Sequence, residues 1–492
     1  MHWTSGIELA VRLIAWTWIR RLLDGWPGVT ALFEENEDAA CQLYWHQRYL
    51  SAYRSTGSSA NNHAVAEAAG LLTASCAFPW FPESERWRAA AGALLERELE
   101  RNTFPSGVNR ELASDYHRLV TELGMVAAVE AEAAGHPVTD ATWARLCRML
   151  DAAAALVDEG VKPPRQGDGD DGQALLVDAP GAEGWSSLLA AGARLVGPAP
   201  WWPTVADDVR SSLLGALVPR QREVAGLGNA MAGRPECRPA HFGDAGITVL
   251  RATSSDEPEI WCRCDGGPHG FLSLAAHAHA DALSIEVRHG GTEVLVDPGT
   301  YCYHGEPPWR AYFRSTIGHN TLELDGQDQS VPGGPFLWLS HASARVCHVA
   351  LESPDGTELW VAEHDGYRRI DPPALHRRTV RLDTRRRRLE VIDRVEAERA
   401  HRCRLAFHLG PSVVASVDGS VALLKWSGRG PASARLQLPD RLRWTAHRGE
   451  TDPIVGWYSP GFGRKQPTVT LVGTGRCGGE EGDLVSVLQF AP

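Results

Sequence analysis

The chain has 492 residues, 43% of them hydrophobic and 22% charged, a length compatible with about two to four domains and substantial cores. Its 61 acidic residues against 49 basic ones give a formal charge of -12, which argues against a general nucleic-acid coat, since such binding needs a basic field. Ten cysteines without a C-x-x-C pair exclude a disulfide scaffold and offer neither a zinc ribbon nor a thioredoxin-like site. Lys162, Lys425 and Lys465 are the only lysines, and tryptophan (18) outnumbers both Phe (11) and Tyr (9). Flat sugar rings stack on indoles, so the composition suits a carbohydrate ligand.

The first elements are helical. Charges interrupt every apolar stretch before the length a bilayer requires, and Glu8 and Arg12 break the first run where a secretory signal would stay apolar. Ser5 and Glu8 form a capping-box pattern ahead of Ile7, Val11, Ile14, Trp18 and Leu22, which recur at helical spacing. The same periodicity predicts helices near 30–54, 62–76, 84–100, 109–134, 138–159, 184–196 and 204–218. Asn62 stands where an N-cap would, before the apolar line Val65, Ala69, Leu72 and Cys76. Tyr116 lies in line with Leu112, Leu119 and Leu123 and reads first as a core tyrosine, with a catalytic role as the sharper alternative. The polar segment Pro163–Gly172, with Asp168, Asp170 and Asp171, lacks the closing Glu of an EF-hand and reads as a solvated connection.

From about Gly246 the pattern changes to short strands: 247–250, 260–264, 283–287, 294–296, 379–382, 389–392 and 468–472. Helices followed by strands mean two domains, with boundaries expected at 1–220 for a helical domain, 221–239 for a linker and 240–492 for a large antiparallel sandwich. Within the second domain His277-Ala-His279-Ala-Asp281, read as a strand, would project His277, His279 and Asp281 from one face. Asp297 opens Asp-Pro-Gly at the exit of a neighbouring strand, and His319 with Asn320 precedes Thr321–Leu324. Two histidines and a carboxylate suit zinc with an open fourth position; the same residues also read as separate polar groups of a sheet and a turn. Arg310 and Arg314 could grip carboxylate or sulfate in a fork geometry, or simply be solvated. The run Arg385–Arg388 reads as a solvated turn.

The strings Ser59–Glu67 (SANNHAVAE), Asn109–His117 (NRELASDYH), His277–Asp281 (HAHAD), Val296–Tyr301 (VDPGTY) and Arg314–Asn320 (RSTIGHN) together resemble the heparinase II/III family of polysaccharide lyases, in order and over nearly the whole chain. The resemblance implies a multidomain α + β fold, an incomplete α/α toroid followed by a large antiparallel β-sandwich. It implies β-elimination on an acidic, uronate-containing polysaccharide, of heparin, alginate or exopolysaccharide type, leaving a C4=C5 double bond. Asn62, helped by His63 or His277, would hold the uronate carboxylate; Tyr116 would serve as general acid and also as base for one C5 configuration, and His63 or His277 as base for the other. His279, Asp297 and His319 would hold a divalent metal, a mainly structural zinc. A periplasmic or secreted location follows from the resemblance, whereas a chain without a signal would stay cytoplasmic. The rivals are a non-catalytic polysaccharide-binding or assembly protein on the same fold and an α/α-barrel glycoside hydrolase, which would need two flanking carboxylates.

Overall fold

The computed structural model describes residues 5–178, 183–218, 233–351, 353–428 and 430–491. It comprises two compact units: residues 1–110, 115–155 and 172–238, and residues 111–114, 156–171 and 239–492. Residues 221–232 of the expected linker lie outside the described residues. Two short segments of the helical half, 111–114 and 156–171, thus belong to the second unit.

The first unit is built on α1 (Gly6–Leu22), α2 (Val29–Phe33), α3 (Glu37–Ala52), α4 (Asn62–Ala77), α5 (Ser84–Asn102), α6 (Ser114–Ala133), α7 (Asp140–Leu156), α8 (Gly184–Val196) and α9 (Val209–Leu217). The stretch expected as one helix over 30–54 breaks at Glu34–Asn36, where the Asn36 side chain caps α3 by accepting from Ala39 N–H. Ser5 stands at the N-cap of α1 without a side-chain cap bond, so the capping box is not formed. The buried face of α1 is Leu9, Ala10, Leu13, Ile14, Thr17 and Trp18, rotated from the predicted line, and Leu22 is exposed. The cause is α4, which is buried on nearly every side and packs against both α1 and α5. A Cβ on Gly70 would lie 2.6 Å from Ala10 Cα, so glycine permits this close approach. The predicted start of α6 at 109 moves to Ser114, because Leu112 takes the left-handed conformation (φ 52°). No helix among the described residues is long and apolar enough to cross a membrane.

The second unit holds three main antiparallel sheets. One runs β1 (His241–Phe242), β2 (Ile247–Ala252), β3 (Ile260–Asp265), β4 (Ile285–His289), β5 (Thr292–Leu295) in sequence order. A second has eight strands in the spatial order 414–418, 421–427, 431–437, 484–490, 388–397, 374–383, 357–364, 344–350. The third orders 443–448, 469–477, 401–408 and β6 (Leu322–Leu324). A single core joins them: Leu250, Cys262 and Ile285 from the first sheet meet Trp360, Val380 and Leu389 from the second and Leu405, Phe407 and Leu471 from the third. The alternating burial of 374–383 and 484–490 is the period of a strand with one face inward. Trp18, Trp87, Trp261 and Trp360 are almost fully buried, so much of the tryptophan excess serves packing rather than a sugar-facing surface.

Candidate active site and metal centre

The hairpin of β4 and β5 turns through Gly290 and Gly291, both at positive φ, pairing His289 with Thr292. It delivers Asp297 two residues beyond β5. In the following Asp-Pro-Gly turn, Gly299 N–H donates to Asp297 Oδ1 at 2.8 Å, which leaves Oδ2 buried without a hydrogen-bond partner. Gly299 has φ 82°, and a Cβ there would come within 2.9 Å of the Ser459 carbonyl oxygen, so the motif requires its glycine.

His319 follows a 3-10 turn, Thr316–Gly318, and its Nδ1 lies 2.7 Å from the Ser315 carbonyl oxygen. A carbonyl only accepts, so the proton is on Nδ1 and Nε2 presents a lone pair. His279 Nε2 lies 3.0 Å from Asp168 Oδ1, which likewise places its proton on Nε2 and its lone pair on Nδ1. Yet His279 Nδ1 and His319 Nε2 face each other at 3.2 Å, and His319 Nε2 is 3.5 Å from Asp297 Oδ2. All three acceptor atoms fall within 4.8 Å of one another and all three residues are buried. Converging lone pairs repel unless a cation lies among them, and ligands about 2.1 Å from a tetrahedral metal sit roughly 3.4 Å apart. The trio therefore fits a divalent ion, with Ser315 and Asp168 as the outer groups that fix the imidazole tautomers. Burial, then the nearby His279, drives the His319 pKa well below its usual value, and burial lowers that of His279. Both rings stay neutral and able to ligate. Burial, reinforced by Glu286, pushes the Asp297 carboxyl up to about 7, the mark of a carboxylate whose protein neighbours do not fully compensate its charge.

Asn320 rivets this region. Its Nδ2 donates to the Ile285 and Val296 carbonyls at 2.8 and 3.0 Å, and its Oδ1 accepts from His408 N–H at 2.6 Å. One fully buried side chain thus joins β4, the exit of β5 and strand 401–408. Asn320→Ala orphans three buried backbone groups at about 1–3 kcal/mol each; urea unfolding should show a loss of roughly 3 kcal/mol or more, and an unchanged midpoint would contradict this role.

Asp168, expected in a solvated connection, is instead buried. Gly167 (φ 65°) turns the loop so that Asp168 N–H reaches the His277 carbonyl at 3.0 Å. Its carboxylate meets His279 through Oδ1 and His277 Nδ1 through Oδ2 at 3.3 Å, and is clamped by both terminal nitrogens of Arg310, Nη2 at 2.7 Å. Burial alone would raise its pKa, but the Arg310 charge and hydrogen bond, with those of the two histidines, hold it well below the usual range. His277 Nε2 lies 3.6 Å from Glu111 Oε2, so its ring stands between two carboxylates, walled by Tyr303 and Phe336.

Three expectations change here. Residues 277–281 are irregular rather than a strand, so the three side chains diverge: His277 to Asp168 and Glu111, His279 to the metal trio, and Asp281 to a pocket where burial and the charges of Asp265 and Asp297 raise its pKa well above normal. Arg310 and Arg314, on α10 (Pro307–Arg314), are buried rather than solvated. Arg310 is committed to Asp168 and to the Pro335 carbonyl, while Arg314 donates to the Gly334 carbonyl at 2.8 Å and lies over the Trp338 ring. Arg387 of the arginine run is also buried, bound to Pro258 and Glu257.

In the helical unit, Asn61 rather than Asn62 caps α4, accepting from His63 N–H at 3.2 Å. This leaves Asn62 as the first helical residue, fully buried, with His63 half-buried beside it. Tyr116 is buried in the first turn of α6. Its neighbour His117 is structural: Nδ1 accepts from Asn109 N–H, Nε2 faces the Met149 carbonyl, the ring stacks on Trp185, and burial lowers its pKa to about 4.

The description "Heparinase II/III-like, C-terminal" matches residues 234–483, and "Heparinase II/III N-terminus" matches residues 38–158. The chain belongs to the heparinase II/III-like family. Among curated proteins it is similar to a heparin-sulfate lyase of Bacteroides thetaiotaomicron, 23% identical over 335 residues, or 65% of this chain. The chain spans 42% of the length of that relative. Among solved structures, a heparinase III gene product superposes with a TM-score of 0.69 at 17% identity, covering 99% of this chain and 68% of that one. A heparan sulfate lyase, HepC from Pedobacter heparinus, does so with a TM-score of 0.64 at 17% identity, over 99% and 68%. This heparinase II/III-like chain therefore has the fold of heparinase III, an α/α toroid part followed by a β-sandwich.

Proposed function

We propose that the protein is a polysaccharide lyase that cleaves a uronate-containing polymer by β-elimination. The observation that carries the reading is the setting of His277. A carboxylate held ionised by Arg310 lies 3.3 Å from its Nδ1, and Glu111 Oε2 lies 3.6 Å from its Nε2, so two carboxylates position a buried imidazole of the kind that acid–base chemistry uses. Family membership supports the rest. Removal of the weakly acidic C5 proton builds charge on the uronate carboxylate, and donors placed where that charge develops supply the larger share of catalysis. Asn62, with His63 or His277, fills that role. Tyr116 protonates the leaving C4 oxygen, and also takes the C5 proton when both groups lie on one face; His63 or His277 takes it for the opposite epimer. His279, Asp297 and His319 would hold a divalent ion, zinc by their ligand types, which would tie three chain segments together as a structural centre.

Tyr116→Phe removes only the hydroxyl. Turnover, followed as ultraviolet absorbance of the unsaturated product, should fall by about 10²–10⁴-fold, the usual contribution of acid–base catalysis, with the circular dichroism of the folded protein retained. Full activity in the purified variant would sink the mechanism.

A further inference from the structure

The inner face of the eight-stranded sheet carries four polar side chains within the sandwich core. Arg378 stands opposite Asp393 on the neighbouring strand, and His376, two residues before Arg378 on the same face, stands opposite His364. All four are buried, on the same strands as the core residues Trp360, Val380 and Leu389. Gly366 N–H donates to His364 Nδ1 at 3.1 Å, so the His364 proton is on Nε2 and faces His376 Nδ1 at 3.2 Å. His376 therefore carries its own proton on Nε2 and donates it to Asp393 Oδ1 at 2.7 Å. The Arg378 guanidinium grips the same carboxylate as a fork, Nε to Oδ1 at 2.7 Å and Nη2 to Oδ2 at 3.0 Å. Burial alone would raise the Asp393 pKa, but the Arg378 charge and the His376 hydrogen bond bring it down to about 2, while burial lowers the pKa of both histidines. The network is thus one ion pair and two neutral rings, each polar atom with a partner.

Arg378 Nη1 reaches beyond the sheet and donates to two backbone carbonyls, that of Leu283 at 2.8 Å and that of Asn320. These carbonyls close the two segments that bear His279 and His319: Leu283 ends the irregular stretch before β4, and Asn320 follows His319 directly. Leu283 takes the left-handed conformation (φ 62°), which a leucine keeps only where its surroundings hold it. A buried ion pair needs such a reason, because desolvating two charges in an apolar core costs about as much as their attraction gains, and well-packed hydrophobic residues serve stability as well or better. We propose that Arg378 is a positioning residue: anchored through Asp393, His376 and His364, it fixes the backbone of both ligand-bearing segments and so the spacing of His279 and His319, a role that rests on the metal centre proposed above.

Metal binding reads this role directly. Purified protein, stripped with a chelator, is titrated with zinc in competition with a chromophoric chelator, and separately with cobalt(II), whose visible bands report ligand number and geometry. Arg378→Lys keeps the cation but loses the planar fork that spans the carboxylate and the carbonyls. The double variant Arg378→Met with Asp393→Asn removes both buried charges together and leaves an acceptor for His376. Each should bind zinc about 10- to 100-fold more weakly, the usual cost of losing a group behind the metal ligands, and should shift the cobalt bands. Leu436→Ala, a cavity in the same core three strands away in the same sheet, should lower the melting temperature but leave zinc affinity and cobalt spectrum as in wild type. Wild-type affinity and spectrum in either Arg378 variant, or an equal loss in Leu436→Ala, overturns the positioning role and leaves the metal centre standing. Wild-type protein that takes up neither zinc nor cobalt overturns the metal centre itself.

Discussion

Replacing Asp168 by Asn should cut turnover about 10- to 100-fold and lower metal content together, the usual cost of losing a group that orients a metal ligand. One carboxylate fixes the tautomer of His279, a proposed metal ligand, and holds His277, proposed to bind the uronate carboxylate or, as the alternative to His63, to take the C5 proton of one epimer. An amide in its place must turn an N–H toward either Arg310 or His279, both of which donate there. Asp168→Ala goes further and leaves the Arg310 guanidinium buried beside a void, which costs about 3–5 kcal/mol. The paired readout, turnover with elemental analysis, separates this role from simple destabilisation. An Asp168→Asn protein with wild-type activity and a full complement of metal would contradict it.

The second large effect concerns the ion itself. Chelation should lower the melting temperature by several degrees and zinc should restore it, because a ligand that binds only the folded state stabilises it by about 4 kcal/mol at a free concentration a thousandfold above Kd. His319→Ala should melt at the chelated value and show no response to zinc. Without the ion, the facing nitrogens of His279 and His319 at 3.2 Å and the buried Asp297 oxygen have no attractive partner. Elemental analysis that finds no divalent ion, with melting indifferent to chelator, would remove the metal and leave the Tyr116 chemistry untouched.

Much of the fold was legible because helices and half-buried strands carry their own periods. The lines Val65, Ala69, Leu72, Cys76 and Leu119, Leu123 are buried as the 3.6-residue spacing implies. Periodicity was less useful where burial comes from every side: α4 is enclosed on most faces, so it redirects α1 to a neighbouring stripe. The site was harder to read. Alternation of His277, His279 and Asp281 mimics a strand, yet the segment is irregular and each side chain takes a different partner, a choice made by contacts distant in sequence. The metal trio came from the resemblance to known lyases, not from the H-x-H pattern, and the Asp-Pro-Gly turn was the local signal that placed Asp297. Asp168 was missed because a polar, glycine-flanked loop looks the same whether water or a buried histidine pair receives it. Arg310 and Arg314, read either as a grip for carboxylate or sulfate or as solvated, are drawn inward by Asp168 and the Gly334 and Pro335 carbonyls, partners that the sequence pattern does not reveal.

The reaction proposed for this protein is elimination, which breaks the polymer without water. The most direct measurement is digestion of a panel of defined uronate oligosaccharides by the wild-type protein, with product masses and ultraviolet absorbance recorded together. Elimination predicts fragments whose masses sum to that of the substrate, with absorbance rising in step with cleavage. Fragments heavier in sum by one water, without absorbance, would make the protein a hydrolase, and an untouched panel that nevertheless binds would make it a polysaccharide-binding protein on a lyase fold.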